Sequence, residues 1–221
     1  MDIKKRTCCI CDGTEWLSAD HLRAEPKGMV VCKGCGFVTF HRFEDQEDYE
    51  KYYADKYRDA KTINLTNLIT TNRKIGYHEK FLGVWLKERT KDGTKLKVGE
   101  IGSATGYFLR WMRDVYSADV TGTELTLAFR RYAKWAFDIN LTKDFDFSQK
   151  YDFISLYHTL EHIPEPKELL LKLKDCLAPN GVLYIASPVW MEEMMRWGGG
   201  SFTNFDDHFH PDHINAWSKA H

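Results

Sequence analysis

The sequence has no excess of charge of either sign. It carries 31 Lys and Arg side chains against 32 Asp and Glu side chains, which gives a formal net charge of −1. A protein that binds nucleic acid mainly by neutralising phosphates usually has a marked basic excess. The overall charge balance therefore makes nucleic acid an unfavoured partner. A local basic face is still compatible with this balance.

The sequence also lacks long hydrophobic runs. No stretch approaches the ~20 apolar residues that a membrane-spanning helix needs, and the charged N-terminus, Met1 to Thr7, does not look like a signal peptide. We therefore expect a cytoplasmic protein without membrane contact, in a compartment that keeps cysteines reduced. Hydrophobic residues make up 43% of the 221 residues, enough for one α/β domain and a small appendage.

Four of the six cysteines form two C-x-x-C pairs. Each pair places two thiolates on one tight turn, and two such turns supply the four sulfur ligands that tetrahedral zinc prefers. We therefore predict a structural zinc site, with no open coordination position, at Cys8, Cys11, Cys32 and Cys35. Two disulfides or unligated cysteines are the alternatives, and a reducing compartment disfavours the disulfides. Cys9 and Cys176 are predicted to be a spare thiol and a core residue.

Changes in the residue pattern divide the chain into three parts. Residues 1–43 are predicted to form the zinc-binding module, 44–92 a helical linker or lid, and 93–221 the main domain. A short strand is expected at Phe37–Phe40. An acidic, tyrosine-rich surface helix is expected over 44–57, and a broken apolar stripe predicts helix over 64–89.

From Lys95 onward, apolar runs alternate with helical patterns. Strands are predicted at Leu96–Ile101, Asp119–Thr123, Tyr151–Tyr157 and Val182–Ala186, and helices at Tyr107–Tyr116, Leu127–Phe137 and Pro166–Leu177. This alternation predicts a mostly parallel sheet flanked by helices, a Rossmann-like α/β fold. The pair Asn180-Gly181 predicts the turn into the last strand, and the patch Gly198–Ser201 predicts a flexible loop.

The glycine-rich segment 99–107 follows the first of these strands and opens a helix, where an α/β sheet binds its ligand. Small residues at Gly102, Ala104 and Gly106 allow the backbone to come close to that ligand. A dinucleotide fingerprint requires glycines where this sequence has Ala104 and Tyr107, so a pyrophosphate is disfavoured. A tight strand-to-helix turn without a ligand is the alternative interpretation.

The pattern Glu100-x-Gly102-x-Ala104-x-Gly106 resembles the first motif of class I S-adenosylmethionine-dependent methyltransferases, with alanine in place of the middle glycine. Glu124, at the end of the second strand, is similar to the acidic residue with which that family holds the ribose hydroxyls. An ordinary exposed acid is the alternative. The resemblance covers residues 96 to 188. It implies that S-adenosyl-L-methionine binds at Glu100, Gly102, Ser103, Ala104, Gly106, Tyr107, Glu124, Leu125 and Tyr157.

The resemblance implies that residues 93–221 form a cofactor-binding methyltransferase domain. The zinc module and Tyr52, Tyr53 and Tyr57 resemble, more loosely, the N-terminal part of methyltransferases of sugar and polysaccharide biosynthesis. The motif of enzymes that methylate exocyclic amines of bases does not follow the predicted strand Tyr151–Tyr157, and no Pro-Cys pair offers a nucleophile for cytosine C5. The expected acceptor is therefore an oxygen or carbon of a hydroxylated small molecule, such as a sugar nucleotide or glycan.

Three polar side chains just after the predicted strand Tyr151–Tyr157, which resembles the fourth strand of the family, are predicted to be catalytic: His158, Glu161 and His162. His158 is the expected base, because imidazole can take a proton from a hydroxyl near neutral pH. Alternatively, the three side chains bind a divalent ion, or Glu161 and His162 only orient the loop. A similar Glu-His step occurs in ubiquinone-pathway O-methyltransferases and small-RNA 2′-O-methyltransferases.

The residues after Pro188 contain no pair of alternating apolar runs, so the terminal β-hairpin of the family is expected to be missing or incomplete. Either a shortened chain or a naturally short sheet would have this pattern. The unprotected edge predicts cover from residues 190–221 or from a second subunit, which favours a homodimer. The histidine-rich segment 207–215 resembles a substrate-side loop with His210 or His213 toward the acceptor, and residues 214–221 are predicted to begin a helix.

Two other classes of protein stay open on the sequence alone. One is a zinc-ribbon nucleic-acid-binding protein, or an RNA methyltransferase, on the same fold. The other is a regulator that binds S-adenosylmethionine without catalysis.

Overall fold

The computed structural model describes residues 7–18, 28–40, 46–55, 65–188 and 213–217. The chain divides into two compact units, each built from separate stretches of sequence. The first unit comprises Met1–Tyr49, His158–Leu170 and Ala186–His221, and the second comprises Glu50–Tyr157 and Leu171–Ile185. The first unit therefore combines the N-terminal cysteines with His158–Leu170, the residues that follow the predicted strand Tyr151–Tyr157.

The described helices and strands follow one another along the chain. They are β1 (Trp16–Ser18), β2 (Met29–Cys32), β3 (Val38–Phe40), α1 (Gln46–Asp55), α2 (Leu65–Thr90), β4 (Lys97–Ile101), α3 (Tyr107–Tyr116), β5 (Asp119–Thr123), α4 (Leu127–Phe137), β6 (Leu141–Thr142), β7 (Tyr151–Tyr157), a 3-10 helix (Leu160–His162), α5 (Pro166–Asp175), β8 (Leu177–Ala186) and β9 (Asn215–Ala216). Of the helices that the structure describes, none combines the length and apolar character that a bilayer crossing requires.

Five strands form a parallel sheet in the order β6-β5-β4-β7-β8. The central strand β4 pairs with β5 and β7, and its Glu100 lies opposite Gly122 on one side and Ser155 on the other. Helices flank this sheet, which confirms the predicted Rossmann-like α/β class. Among the described residues, the sheet has these five strands. The terminal hairpin, expected to be missing or incomplete, would fall after Pro188, where residues 189–212 lie outside the described residues.

The core of the second unit lies between α3 and the sheet. Phe108, Leu109 and Met112 recur at helical spacing and are therefore buried on one face of α3. Gly122 of β5 allows this helix to approach, because a Cβ atom there would lie only 2.4 Å from Leu109 Cδ1 and 2.4 Å from Ser103 Oγ. The fold thus brings α3 and the turn before it directly onto the sheet.

The predicted turn at Asn180-Gly181 lies inside β8, which begins earlier than predicted. Asn180 has a φ of 62°, and a Cβ on Gly181 would come within 2.9 Å of the Ala178 carbonyl oxygen. The backbone therefore folds back on itself over these residues, as the dipeptide predicts.

The first unit contains an antiparallel sheet of four short strands in the order β1-β2-β3-β9. The predicted helix start at Ile214 is wrong, because Asn215–Ala216 form β9 and pair with β3. The neighbouring Trp217 ring lies 5.2 Å from the ring of Phe37, so a distant strand and an aromatic contact decide the local conformation. Residues 218–221, the Gly198–Ser201 patch and His210 lie outside the described residues.

Candidate active site

The turn between β4 and α3 is built from residues with positive φ. Gly102, Ala104 and Gly106 have φ values of 73°, 46° and 76°. Glycine adopts this conformation freely, whereas alanine pays about 1–2 kcal/mol for it. A hydrogen bond of 2.8 Å from Ser103 N to Thr123 O holds the turn against β5, and one of 2.8 Å from Gly106 N to Ser103 O closes the turn. Its alternating small residues leave the backbone open to a ligand at the carboxyl end of the sheet.

Glu124 bridges this turn and the loop that follows β5. Its Oε2 accepts a hydrogen bond from the Ala104 backbone N–H at 2.9 Å, and its Oε1 accepts one from the Thr126 N–H at 2.7 Å. Arg130 Nη1 donates to the carbonyl oxygens of Glu124 and Leu125, at 2.6 and 3.0 Å. A carboxylate oxygen has a further lone pair, so Glu124 is fixed in place and can still accept two hydroxyl donors.

Glu100 is a buried carboxyl group beside the turn. Only 4% of its surface is exposed, and its Oε2 has no hydrogen-bond partner among the described residues. Burial raises the pKa of Glu100 to about 8, opposed by a hydrogen bond from Ser103 and reinforced by the charge of Glu124. Ser155, opposite Glu100 in the sheet, is fully buried and its hydroxyl is also unsatisfied. These two groups lie on neighbouring strands, β4 and β7, beside the turn.

Two aromatic residues of the predicted cofactor site have clear neighbours. Tyr107, the first residue of α3, is buried against the Phe137 ring at 4.7 Å. Tyr157, the last residue of β7, lies 4.5 Å from the ring of His78 on α2. His78 is 4% exposed, and sequence analysis did not single it out. The sequence pattern could have placed His78 in the core, because His78, Leu82 and Trp85 recur at helical spacing on the apolar face of α2.

His158 directly follows β7 and has a strained backbone. Its φ is 50°, which is uncommon for a non-glycine residue and is concentrated at functional sites. Its N–H donates to the Ala186 carbonyl oxygen at 2.7 Å, while 46% of its side chain is exposed. Its Nδ1 lies 3.4 Å from Oε1 of Glu161. The imidazole is therefore oriented by a carboxylate and accessible to a second molecule.

Glu161 lies on the 3-10 helix and is almost completely buried, with 1% of its surface exposed. Its Oε2 accepts a hydrogen bond of 2.8 Å from the Ser187 hydroxyl, and its Oε1 lies 4.0 Å from His213 Nε2. Burial by itself raises the pKa of Glu161, but the nearby His158 and His162 outweigh it, so the pKa is lower than usual. The His162 and His213 rings are 4.8 Å apart. The structure thus brings the three predicted catalytic side chains together and adds His213.

The four cysteines predicted as zinc ligands also lie together, with their sulfur atoms within 4.8 Å of one another. Cys8 Sγ is 3.7 Å from Cys35 Sγ, and Cys11 Sγ is 3.5 Å from Cys32 Sγ. Zn–S bonds of about 2.3 Å place neighbouring sulfurs of a tetrahedral site about 3.8 Å apart, so the cluster fits zinc. Burial alone raises the pKa of Cys32, but backbone N–H groups of Cys35 and Gly34 outweigh it and lower the pKa to about 7.

The other two cysteines stand apart from this cluster. Cys9 is partly buried within the first C-x-x-C turn, and burial raises the pKa of its thiol to about 12. Cys176 is buried at the end of α5. Neither thiol is part of the four-sulfur group, which agrees with the roles that the sequence suggests for them.

The sheet and its glycine-rich turn define a protein of the Rossmann-like methyltransferase class. Residues 75–220 match the family described as "Methyltransferase domain". Because this match spans well over half of the 221 residues, the chain belongs to that family of methyltransferase domains. No curated protein matches the chain.

Several solved structures are similar to the chain. The plantazolicin methyltransferase BpumL, in complex with a monoazolic desmethylPZN analog and SAH, has a TM-score of 0.53 and 19% identity, over 71% of this chain and 64% of that one. DesVI from Streptomyces venezuelae has a TM-score of 0.47 and 17% identity, over 61% of this chain and 60% of that one. The chain thus spans less than two thirds of the length of these structures, and identity this low shows the fold alone.

Proposed function

We propose that the protein is an S-adenosylmethionine-dependent methyltransferase that acts on an oxygen or a carbon of a small hydroxylated molecule, such as a sugar nucleotide or glycan. The observation that carries this proposal is the contact between Glu124 and the turn after β4. Glu124 Oε2 accepts the Ala104 N–H at 2.9 Å, so the carboxylate is fixed beside three alternating small residues. The SAH in the similar BpumL structure supports the same cofactor class.

The residues of the second unit fit this cofactor by their chemistry. Glu124 would accept the two ribose hydroxyls, and its charge would exclude a 2′-phosphate. The turn at Gly102, Ala104 and Gly106 would let the cofactor lie close to the backbone. Glu100 and Ser155 would offer their unsatisfied polar atoms to its polar groups. When bound, the cofactor supplies an electrophilic methyl group, so the protein contributes mainly position and a base.

On the acceptor side, His158 would take the proton of the reacting hydroxyl or carbon acid. Its Nδ1 faces Glu161, which leaves Nε2 as the atom that accepts the proton. The buried carboxylate of Glu161 would orient the ring and stabilise its positive charge, as the third member of a catalytic triad does. In the first unit, Cys8, Cys11, Cys32 and Cys35 would hold one structural zinc ion.

Calorimetry and a turnover assay together test the proposal. Purified protein should bind S-adenosylmethionine and convert it to S-adenosylhomocysteine in the presence of hydroxylated acceptors. His158→Ala should lower kcat by about 10²–10⁴-fold, the usual contribution of a general base, and leave cofactor affinity unchanged. Tight binding of NADH instead, or salt-dependent binding of nucleic acid without cofactor binding, would contradict it. Cofactor binding without turnover would instead favour a regulator.

A further inference from the structure

The first unit contains a second group of side chains with metal-ligand chemistry, apart from the four cysteines. One oxygen of Glu161 and one ring nitrogen each of His162 and His213 lie within 4.8 Å of one another. We refer to these three residues as the Glu161 cluster. We propose that the Glu161 cluster binds a divalent transition-metal ion and that this ion binds an oxygen atom of the acceptor.

Burial of Glu161 is the first argument for a cation at this place. Its Oε1 is buried and has no hydrogen-bond partner among the described residues. Two ring nitrogens already face this oxygen, His158 Nδ1 at 3.4 Å and His213 Nε2 at 4.0 Å, so its surroundings suit a positive charge. A buried acceptor without a hydrogen-bond partner destabilises the folded protein, and more so when it is charged. A cation bound to Oε1 would remove this destabilisation.

The kinds of ligand in the cluster select a class of metal. Two imidazoles and one carboxylate suit divalent ions of borderline softness such as Mn²⁺, Fe²⁺, Co²⁺ and Zn²⁺, whereas Mg²⁺ and Ca²⁺ prefer oxygen ligands alone. Three protein ligands also leave coordination positions open, unlike the closed four-cysteine site. An open position is what allows a metal to bind and polarise an oxygen of a second molecule.

The separation of the ligand atoms is compatible with a single ion. Bonds of about 2.1 Å place two ligand atoms roughly 3–4.2 Å apart across one metal. The 4.8 Å within which the ligand atoms of the Glu161 cluster lie requires only a small inward movement. His213, whose side chain is 19% exposed, has the most room for that movement, since Glu161 is 1% exposed.

Hydrogen bonds hold the two segments that carry the ligands against each other. The backbone N–H of Ile214, next to His213, donates to the Glu161 carbonyl oxygen at 2.9 Å. Asn215 Nδ2 donates to the carbonyl oxygen of Ile163 at 2.6 Å. These bonds fix His213 beside the 3-10 helix although it is far from Glu161 in sequence. A site that is already assembled loses less entropy when it binds an ion.

Binding of a metal ion to the Glu161 cluster does not depend on the proposed function. Only the claim that the ion binds an oxygen atom of the acceptor rests on the proposed function. Mn²⁺ is the most suitable probe, because it is a hard ion and should bind the four soft thiolates of the cysteine cluster only weakly. Electron paramagnetic resonance of free Mn²⁺ can follow its binding to the full chain without cofactor or acceptor. The expected result is one Mn²⁺ per chain, with His213→Ala and Glu161→Gln each weakening affinity by more than about 100-fold, since loss of even an indirect partner costs 10–100-fold.

The matched control is Glu165→Gln, which removes an exposed carboxylate from the same stretch of chain and should leave Mn²⁺ affinity unchanged. An absence of Mn²⁺ binding, or binding that His213→Ala does not weaken, would overturn the proposal. Bound Mn²⁺ should also broaden the ring NMR signals of His162 and His213 in the unmutated protein, and sharp signals for both would overturn it as well. Calorimetry with S-adenosylmethionine on the same sample tests the proposed function separately.

Discussion

Thr39 and Asn215, which are 176 residues apart in the sequence, are joined by a buried hydrogen bond of 3.0 Å between the Thr39 hydroxyl and Asn215 Oδ1. The same Asn215 side chain donates through Nδ2 to the carbonyl oxygen of Ile163, just beyond the 3-10 helix. Asn215 therefore connects the sheet of the cysteine module to the segment that carries Glu161 and His162. Within the first unit, the module and the acceptor-side loop should behave as one cooperative structure.

Replacing Asn215 by alanine should loosen that connection. The change removes the Nδ2 donor of the Ile163 carbonyl, at a cost of about 1–3 kcal/mol for a buried group. The Thr39 hydroxyl loses Asn215 Oδ1 but keeps its bond to the Ile214 carbonyl oxygen at 2.9 Å. Hydrogen exchange should therefore quicken in residues 158–163, while β4 and β5 stay protected. Asn140→Ala, at an exposed position of the second unit, is the control. Equal exchange in the two variants would show that Asn215 does not hold the loop.

The cysteine module should contain about one zinc ion per chain, because four thiolates satisfy one tetrahedral ion. Cys32→Ser should release the zinc and unfold the module. Through Thr39 and Asn215 it should also quicken exchange near Glu161, but leave the parallel sheet of residues 95–188 intact. Cys9→Ser, within the first C-x-x-C turn but outside the sulfur cluster, should keep the zinc. Elemental analysis that finds folded protein with almost no zinc would refute the assignment.

Much of the second unit could be predicted from the sequence because its elements have a clear period. The bounds of α3, β5, α4 and β7 in the structure are those that the pattern predicts. The strands β1, β2, β6 and β9 were not predicted, since they have only two to four residues and show no period. The segment at Ile214 was predicted to be helical, but pairing with β3 decides its conformation.

Whether a candidate site could be predicted likewise depends on how far apart in the sequence its residues are. The cysteine cluster and the turn at Gly102 could be predicted because the relevant residues are close in sequence. The approach of His213 to Glu161 could not, because it depends on the β3–β9 pairing and on hydrogen bonds between segments that are far apart. The burial of Glu100 without a partner is likewise a property of the folded sheet.

Glu124→Ala should weaken binding of S-adenosylmethionine by more than about 100-fold, or roughly 3 kcal/mol, through the loss of two charge-assisted hydrogen bonds. The structure adds a second cause, because the Ala104 N–H also loses its acceptor. The control is Glu168→Ala, which removes an exposed carboxylate of α5. Isothermal titration calorimetry that finds equal affinity in the two variants would refute the role of Glu124.

Two glycine-to-alanine changes should have opposite effects on stability. A Cβ on Gly122 would lie 2.4 Å from Leu109 Cδ1 and from Ser103 Oγ, so Gly122→Ala should destabilise the protein by about 1–3 kcal/mol and displace the turn. Gly83 lies within α2 and its Cβ would meet only ordinary contacts, at 3.4 Å and beyond. Gly83→Ala should stabilise by about 0.5–1 kcal/mol. Thermal unfolding of both variants checks the difference, and equal shifts would contradict it.

Glu100 should make the protein less stable as the pH rises through neutrality. Burial raises its pKa in the folded protein from 4.5 to about 8. Between these values the folded state keeps a proton that the unfolded state has lost, so the free energy of unfolding falls with pH by up to about 1.4 kcal/mol per unit. Glu100→Gln cannot titrate, and its stability relative to the unmutated protein should therefore increase from about pH 5 to about pH 8. Urea unfolding across this range measures the effect, with Glu168→Gln as the exposed control. Parallel stability curves for Glu100→Gln and the unmutated protein would show that Glu100 is ionised in the folded state.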